Sequence, residues 1–131
     1  MPTALRRGVV CLAFAATAAA CGPRPVSLTV IAYDFAFQPD TLEVQAGAEV
    51  TLTLINHGNA EHVWLILDKD HELTLPYDAD DSEFALARTI ADVTGRETFT
   101  FTAPTEPGEY TIVCSIPEHA QKGMIGTLVV K

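Results

Sequence analysis

The stretch Cys114-Ser115-Ile116-Pro117-Glu118-His119-Ala120-Gln121-Lys122-Gly123-Met124 brings a thiol, an imidazole and a thioether together in the pattern Cys-x4-His-x4-Met. Taken singly, each has a plain explanation: a free Cys is often a small buried hydrophobe, and Met fills irregular gaps in cores. Taken together they form a donor set. A second imidazole is available at His62, which opens the apolar run His62-Val63-Trp64-Leu65-Ile66-Leu67. At period two, His62 shares a face with Trp64 and Ile66, and Cys114 shares one with Tyr110 and Ile112. Both donors therefore sit at the rim of an apolar layer, away from water. Thiolate and thioether are soft ligands suited to Cu(I), and imidazole serves both oxidation states. Two His, one Cys and a weak Met are the ligands of a blue-copper electron-transfer site. His57 competes with His62, but it lies in the loop Asn56-His57-Gly58-Asn59 with no apolar face behind it. His71 follows Asp68-Lys69-Asp70 and reads as a solvated turn residue.

Short strands would have to position these donors. Val26–Ala32, Glu49–Ile55 and Arg96–Thr102 alternate apolar and polar residues at period two, the pattern of half-buried strands. Thr41–Gln45, His62–Leu67, Glu109–Cys114 and Thr127–Val130 complete a set of seven or eight strands separated by Gly, Pro and Asn turns. That spacing predicts an all-β antiparallel sandwich or barrel. Within residues 68–95, Asp78, Asp80, Asp81 and Glu83 form an acidic cluster that reads as a solvated face. Glu83–Ile90 is compatible with a short helix.

The 131 residues carry 8 Lys+Arg against 17 Asp+Glu, a formal charge of -9, and 48% are hydrophobic. The apolar content excludes a disordered chain, and the lack of a basic cluster excludes nucleic acid as a partner. At the N-terminus, Arg6 and Arg7 precede an uncharged run from Gly8 to Ala20, which ends in Ala18-Ala19-Ala20 before Cys21. The run is shorter than the ~20 residues of a membrane span. It has the layout of an export signal of lipoprotein type over 1–20, with Cys21 as the lipidated residue. A short linker, 21–25, and one domain, 26–131, would follow. Export removes Cys11 and commits Cys21, so Cys114 is left as the single thiol inside the fold, with no disulfide framework to join. The expected location is the cell envelope or periplasm, lipid-anchored to a membrane.

Over residues 26–131 the chain resembles the cupredoxin, or blue-copper, family, and within it the auracyanin, plastocyanin and azurin types. The resemblance rests on Phe35-x-Phe37-x-Pro39, Gly47, Asn56 ahead of the first His, the Cys-x4-His-x4-Met loop, and Gly126 to Val130 after it. It implies a cupredoxin-like Greek-key β-sandwich of seven to eight strands. It also implies one copper per chain, held by His62, Cys114, His119 and Met124. The function it implies is one-electron transfer between membrane redox complexes rather than catalysis. The protein would be a monomer whose redox partner is a c-type cytochrome or a membrane oxidoreductase. The alternative is a periplasmic copper-binding protein for copper storage or delivery to an oxidase, a role usually served by several Met and His donors. Two positions depart from the family pattern. Val63 replaces an Asn whose side chain bonds across to the Cys loop, and Glu118 replaces the Gly of Pro-Gly-His. Glu118 also stands where a binuclear copper centre would need a second Cys, so a mononuclear site is expected.

Overall fold

Strict alternation over Glu49–Asn56 buries Val50, Leu52 and Leu54 completely and turns Thr51 and Thr53 to the other face. Full burial of each such side chain contributes ~1.5–3 kcal/mol. The outward hydroxyls of Thr51 and Thr53 pair across the ladder with Thr100 and Thr98, at 3.3 and 3.0 Å. The computed structural model describes residues 21–131, so the signal expected over 1–20 lies outside the described residues. Nine strands run in chain order: β1 (Val26–Tyr33), β2 (Ala36–Gln38), β3 (Thr41–Val44), β4 (Glu49–Asn56), β5 (His62–Leu67), β6 (Ala85–Ala91), β7 (Arg96–Thr102), β8 (Gly108–Val113) and β9 (Ile125–Val130). One sheet has the order β2-β1-β4-β7 and the other β3-β9-β8-β5-β6. Between them, Trp64 of β5 packs against Phe99 and Phe101 of β7, with ring centroids 6.0 and 5.8 Å apart.

The all-β sandwich is as expected, with three corrections. The sheets are mixed rather than antiparallel, because β1 runs parallel to β4 and β3 parallel to β9. Among the described residues there are nine strands, two of which, β2 and β6, carry no clear alternation signal. The segment compatible with a helix, Glu83–Ile90, is mostly strand β6, and the α-helical turn α1 lies ahead of it, at Ala79–Ser82. The reason lies in β6 itself: it turns Ala85, Ala87 and Thr89 inward and exposes Leu86 and Ile90, which inverts the usual apolar pattern.

The acidic cluster is not simply a solvated face. Asp78 caps α1 by accepting from the backbone N–H groups of Asp80 and Asp81, and the Asp81 side chain accepts from Asp78 N–H. Asp81 is 2% exposed and lies 2.6 Å from His71 Nε2. The His71 ring stacks on Phe84 at 4.1 Å. His71 is therefore a packed partner of a buried carboxylate, not a solvated turn residue.

Parallel pairing of β1 with β4 brings Ala32 opposite Asn56, and antiparallel pairing of β5 with β6 brings His62 opposite Ala91. The β1–β2 turn, the β4–β5 loop, the β6–β7 turn and the β8–β9 loop consequently meet at one end of the sandwich. Asn56 ties two of these segments together, the β4–β5 loop and the β6–β7 turn. Its Nδ2 donates to the carbonyls of Ala60, Ala91 and Asp92, and its Oδ1 accepts from Gly58 N–H. Among the described residues no helix is long and apolar enough to cross a membrane.

Candidate metal centre

Four of the residues singled out from sequence converge at this end. His62 is the first residue of β5, Cys114 follows the last residue of β8, His119 precedes a 3-10 turn at Ala120–Lys122, and Met124 precedes β9. One ligand atom each from His62, Cys114 and His119 fall within 4.8 Å of one another. Cys114 Sγ and His119 Nδ1 are 3.5 Å apart, and the two imidazole centroids 5.0 Å. His62, Cys114 and Met124 have no exposed surface, whereas His119 is 7% exposed. Only its edge reaches water.

The β8–β9 loop is braced by its own backbone. Cys114 N–H donates to Met124 O, Met124 N–H to His119 O, and His119 N–H to Ile116 O, each at 3.1 Å. Gly123, at φ +99°, closes the 3-10 turn, and its N–H donates to Ala120 O. Glu118 adopts φ +69° where the resemblance expects glycine, so a side chain occupies the left-handed region at a cost of ~1–2 kcal/mol. Its carboxylate lies out in solvent, 3.8 Å from Lys122 Nζ. The Val63 departure leaves the sulfur with a donor nonetheless: Val63 backbone N–H points at Cys114 Sγ at 3.4 Å.

The electrostatics of the cluster fit a cation. Burial pushes the Cys114 thiol pKa up, against the opposing N–H groups of Val63 and Ile116. Burial, then the neighbouring His62 and Lys122, holds His119 below its ordinary pKa, so its imidazole is neutral and able to ligate. His62 Nδ1 is buried without any hydrogen-bond partner. A buried polar nitrogen is normally satisfied. An unpaired Nδ1 beside a thiol and a neutral imidazole is a place where a soft cation would supply the missing partner and stabilise the thiolate.

Several contacts at the site were not legible as functional in the sequence. Asp34 Oδ1 lies 3.2 Å from His62 Nε2, across 28 positions of chain. Asn59 holds that carboxylate with two donors, its backbone N–H on Oδ1 and its Nδ2 on Oδ2, both at 2.9 Å. The Asn59 side chain, and after it the Asn59 backbone N–H, keeps the Asp34 carboxyl below its ordinary pKa. Phe35, the next residue, takes φ +69° and sets its ring edge-on to His119 at 5.2 Å. Lys122 Nζ sits 4.6 Å from the centre of the same ring. His57, by contrast, lies outside the cluster, exposed and edge-on to Tyr33 at 5.8 Å.

A two-sheet sandwich with a buried His–Cys–His–Met end defines a cupredoxin. A family model described as a cupredoxin-like domain matches residues 7–130, and the chain belongs to that family. Auracyanin A from Chloroflexus aurantiacus, described as a "blue" copper protein, is 26% identical with a TM-score of 0.68, over 82% of this chain and 99% of that one. Auracyanin from Roseiflexus castenholzii is 27% identical, TM-score 0.64, over 80% and 96%. Rusticyanin from Thiobacillus ferrooxidans is 27% identical, TM-score 0.62, over 80% and 77%. No curated protein sequence matches the chain significantly. The cluster of His62, Cys114, His119 and Met124 fits one type 1 copper site.

Proposed function

We propose that the protein is a type 1 blue-copper electron carrier in which His62 Nδ1, Cys114 Sγ and His119 Nδ1 hold the metal and Met124 adds a weak thioether contact. The observation that carries this reading is the buried, unpartnered Nδ1 of His62, a residue that groups one ring nitrogen with donor atoms of Cys114 and His119 within 4.8 Å of one another. When bound, copper supplies a centre that takes up and releases one electron. The protein's part is to hold four donors in a braced, water-free frame that need not rearrange. His119 offers the route outward, because it is the donor residue with exposed surface. A redox partner, such as a c-type cytochrome or a membrane oxidoreductase, would dock over that edge to a monomer. Storage or delivery would instead need donors a receiving protein can reach, and His62, Cys114 and Met124 are fully buried.

Titration of the metal-free protein with Cu(II) tests this reading. It is expected to saturate at one copper per chain and to develop an intense visible thiolate-to-copper band with the narrow hyperfine splitting of blue copper in the EPR spectrum. A colourless complex at saturation would rule the carrier out.

The export signal over 1–20, the linker 21–25 and lipid attachment at Cys21 belong to the same proposal. Cys21 is exposed, and Arg24 N–H donates to Gln45 Oε1 at 3.1 Å, which sets the linker beside the β3–β4 turn. From there β4 runs eight residues to the site end, or ~26 Å at ~3.3 Å per residue. An anchor at Cys21 thus leaves the His119 edge facing away from the membrane. Cys21→Ala should move the protein from the membrane fraction to the soluble exported fraction. Retention of the variant on membranes through a high-salt wash would assign the anchoring elsewhere.

A further inference from the structure

The two-residue turn between β1 and β2 touches both imidazoles of the cluster: Asp34 meets His62, and Phe35 meets His119. We propose that Asp34 is a positioning residue for the copper site, fixing the tautomer of His62 and biasing the centre toward its oxidised state. This rests on the proposed ligand role of His62.

An ionised carboxylate can only accept hydrogen bonds. The nitrogen facing Asp34, Nε2, must therefore carry the proton, and a neutral imidazole has only one to place. Nδ1 is left as the bare lone pair, the same atom that is buried without a partner on the residue that clusters with Cys114 and His119. Two separate observations meet in this assignment: a hydrogen bond on one side of the ring and an unfilled acceptor on the other.

The carboxylate is itself held in place. Asn59 spans both of its oxygens, so Asp34 cannot rotate away without losing two donors. Gly58 packs directly on the pair, and a side chain there would collide with both Asp34 Oδ1 and His62 Nε2. Asn56 in turn fixes Gly58 through its backbone N–H at 2.8 Å. The β4–β5 loop thus acts as a frame for one hydrogen bond. A carboxylate behind a ligating imidazole raises ligand basicity, and outer partners of this kind are worth ~10–100-fold in metal affinity. Negative charge so close to the centre favours the more positive copper state over the less positive one.

Two variants separate orientation from charge. Asp34→Asn keeps an acceptor oxygen toward His62 and removes the charge, with the Asn59 amide free to flip and satisfy the new NH2. Asp34→Ala removes both. In the copper-loaded protein the preference for Cu(II) over Cu(I) should fall about tenfold in Asp34→Asn, read as a reduction potential ~59 mV higher. In Asp34→Ala the Cu(II) affinity should fall ~10–100-fold as well. Nitrogen-15 NMR of the metal-free protein should show His62 with its proton on Nε2 in the wild type and in Asp34→Asn. A population with the proton on Nδ1 should appear in Asp34→Ala. An unchanged potential in both variants, or a wild-type His62 protonated on Nδ1, would overturn the proposal. The copper reading fails separately, on a wild type without a blue band, and the tautomer measurement decides the Asp34 assignment even then.

Discussion

Replacing Cys114 with serine is expected to abolish the visible charge-transfer band outright while leaving the sandwich folded. The band requires a thiolate as electron donor to Cu(II), and among the described residues Cys114 supplies the one sulfur anion within reach of both imidazoles. Serine is close in size, and its hydroxyl can accept from the Val63 N–H that now points at Sγ. The fold has little need of the sulfur. Its core lies deeper, in residues such as Leu52, Leu54, Trp64, Ile66 and Ile112, all at most 1% exposed. Placing a hydroxyl in this buried position costs ~1–3 kcal/mol before any hydrogen bond offsets it. The metal-free variant should therefore unfold at somewhat lower denaturant with an unchanged slope. Copper should raise the midpoint of the wild type by mass action, RT ln(1 + [L]/Kd), and raise that of the variant far less. Visible spectra and denaturant unfolding, each with and without Cu(II), check both halves. A strong blue band surviving in Cys114→Ser would mean that the thiolate is not the source, and the proposed ligand set would be wrong.

How much of this could be seen in the chain depends on how local each signal is. Val26–Ala32, Glu49–Ile55 and Arg96–Thr102 announce themselves because one face of each strand is buried and the other wet, which writes period two into the sequence. Cys114, His119 and Met124 are legible for a similar reason: one loop carries all three, so spacing alone brings them together. His62 is legible through the apolar residues sharing its face. The strand β6 is not, because it puts alanines and a threonine inside and leaves Leu86 and Ile90 exposed. Three residues of β2 are too few to show any period. The parallel partners β1 with β4 and β3 with β9 depend on register between distant segments, which no local pattern encodes. Buried charge misleads in the same way. Asp81 looks like surface among its acidic neighbours, yet it accepts from the backbone N–H of the helix cap Asp78 and holds His71. Asp34 carries no signal of its own in the sequence, and only folding places it on His62.

Substituting each of the two competing histidines by alanine should give opposite results. His62→Ala is expected to eliminate the blue spectrum or convert it to a weak, distorted one, because it deletes a buried donor nitrogen that has no other partner. It also strips the Asp34 carboxylate of one hydrogen bond and opens a cavity at a position with no exposed surface. Large-to-small changes at such sites cost ~2–5 kcal/mol, so the metal-free protein should be clearly destabilised as well. Free imidazole added to the variant should restore part of the spectrum by filling that cavity, which a purely structural loss would not allow. His57→Ala should leave the spectrum and the copper stoichiometry intact. Its ring is exposed, touches Tyr33 edge-on and lies outside the donor cluster, and surface changes of this kind stay within ~0.5 kcal/mol. The comparison is sensitive to the placement of β5, because the two residues flank the Gly58–Glu61 stretch at the same end of the sandwich. Loss of the band in His57→Ala with retention in His62→Ala would put the wrong residue at the start of the strand. The Asp34 contact would then have no bearing on the metal.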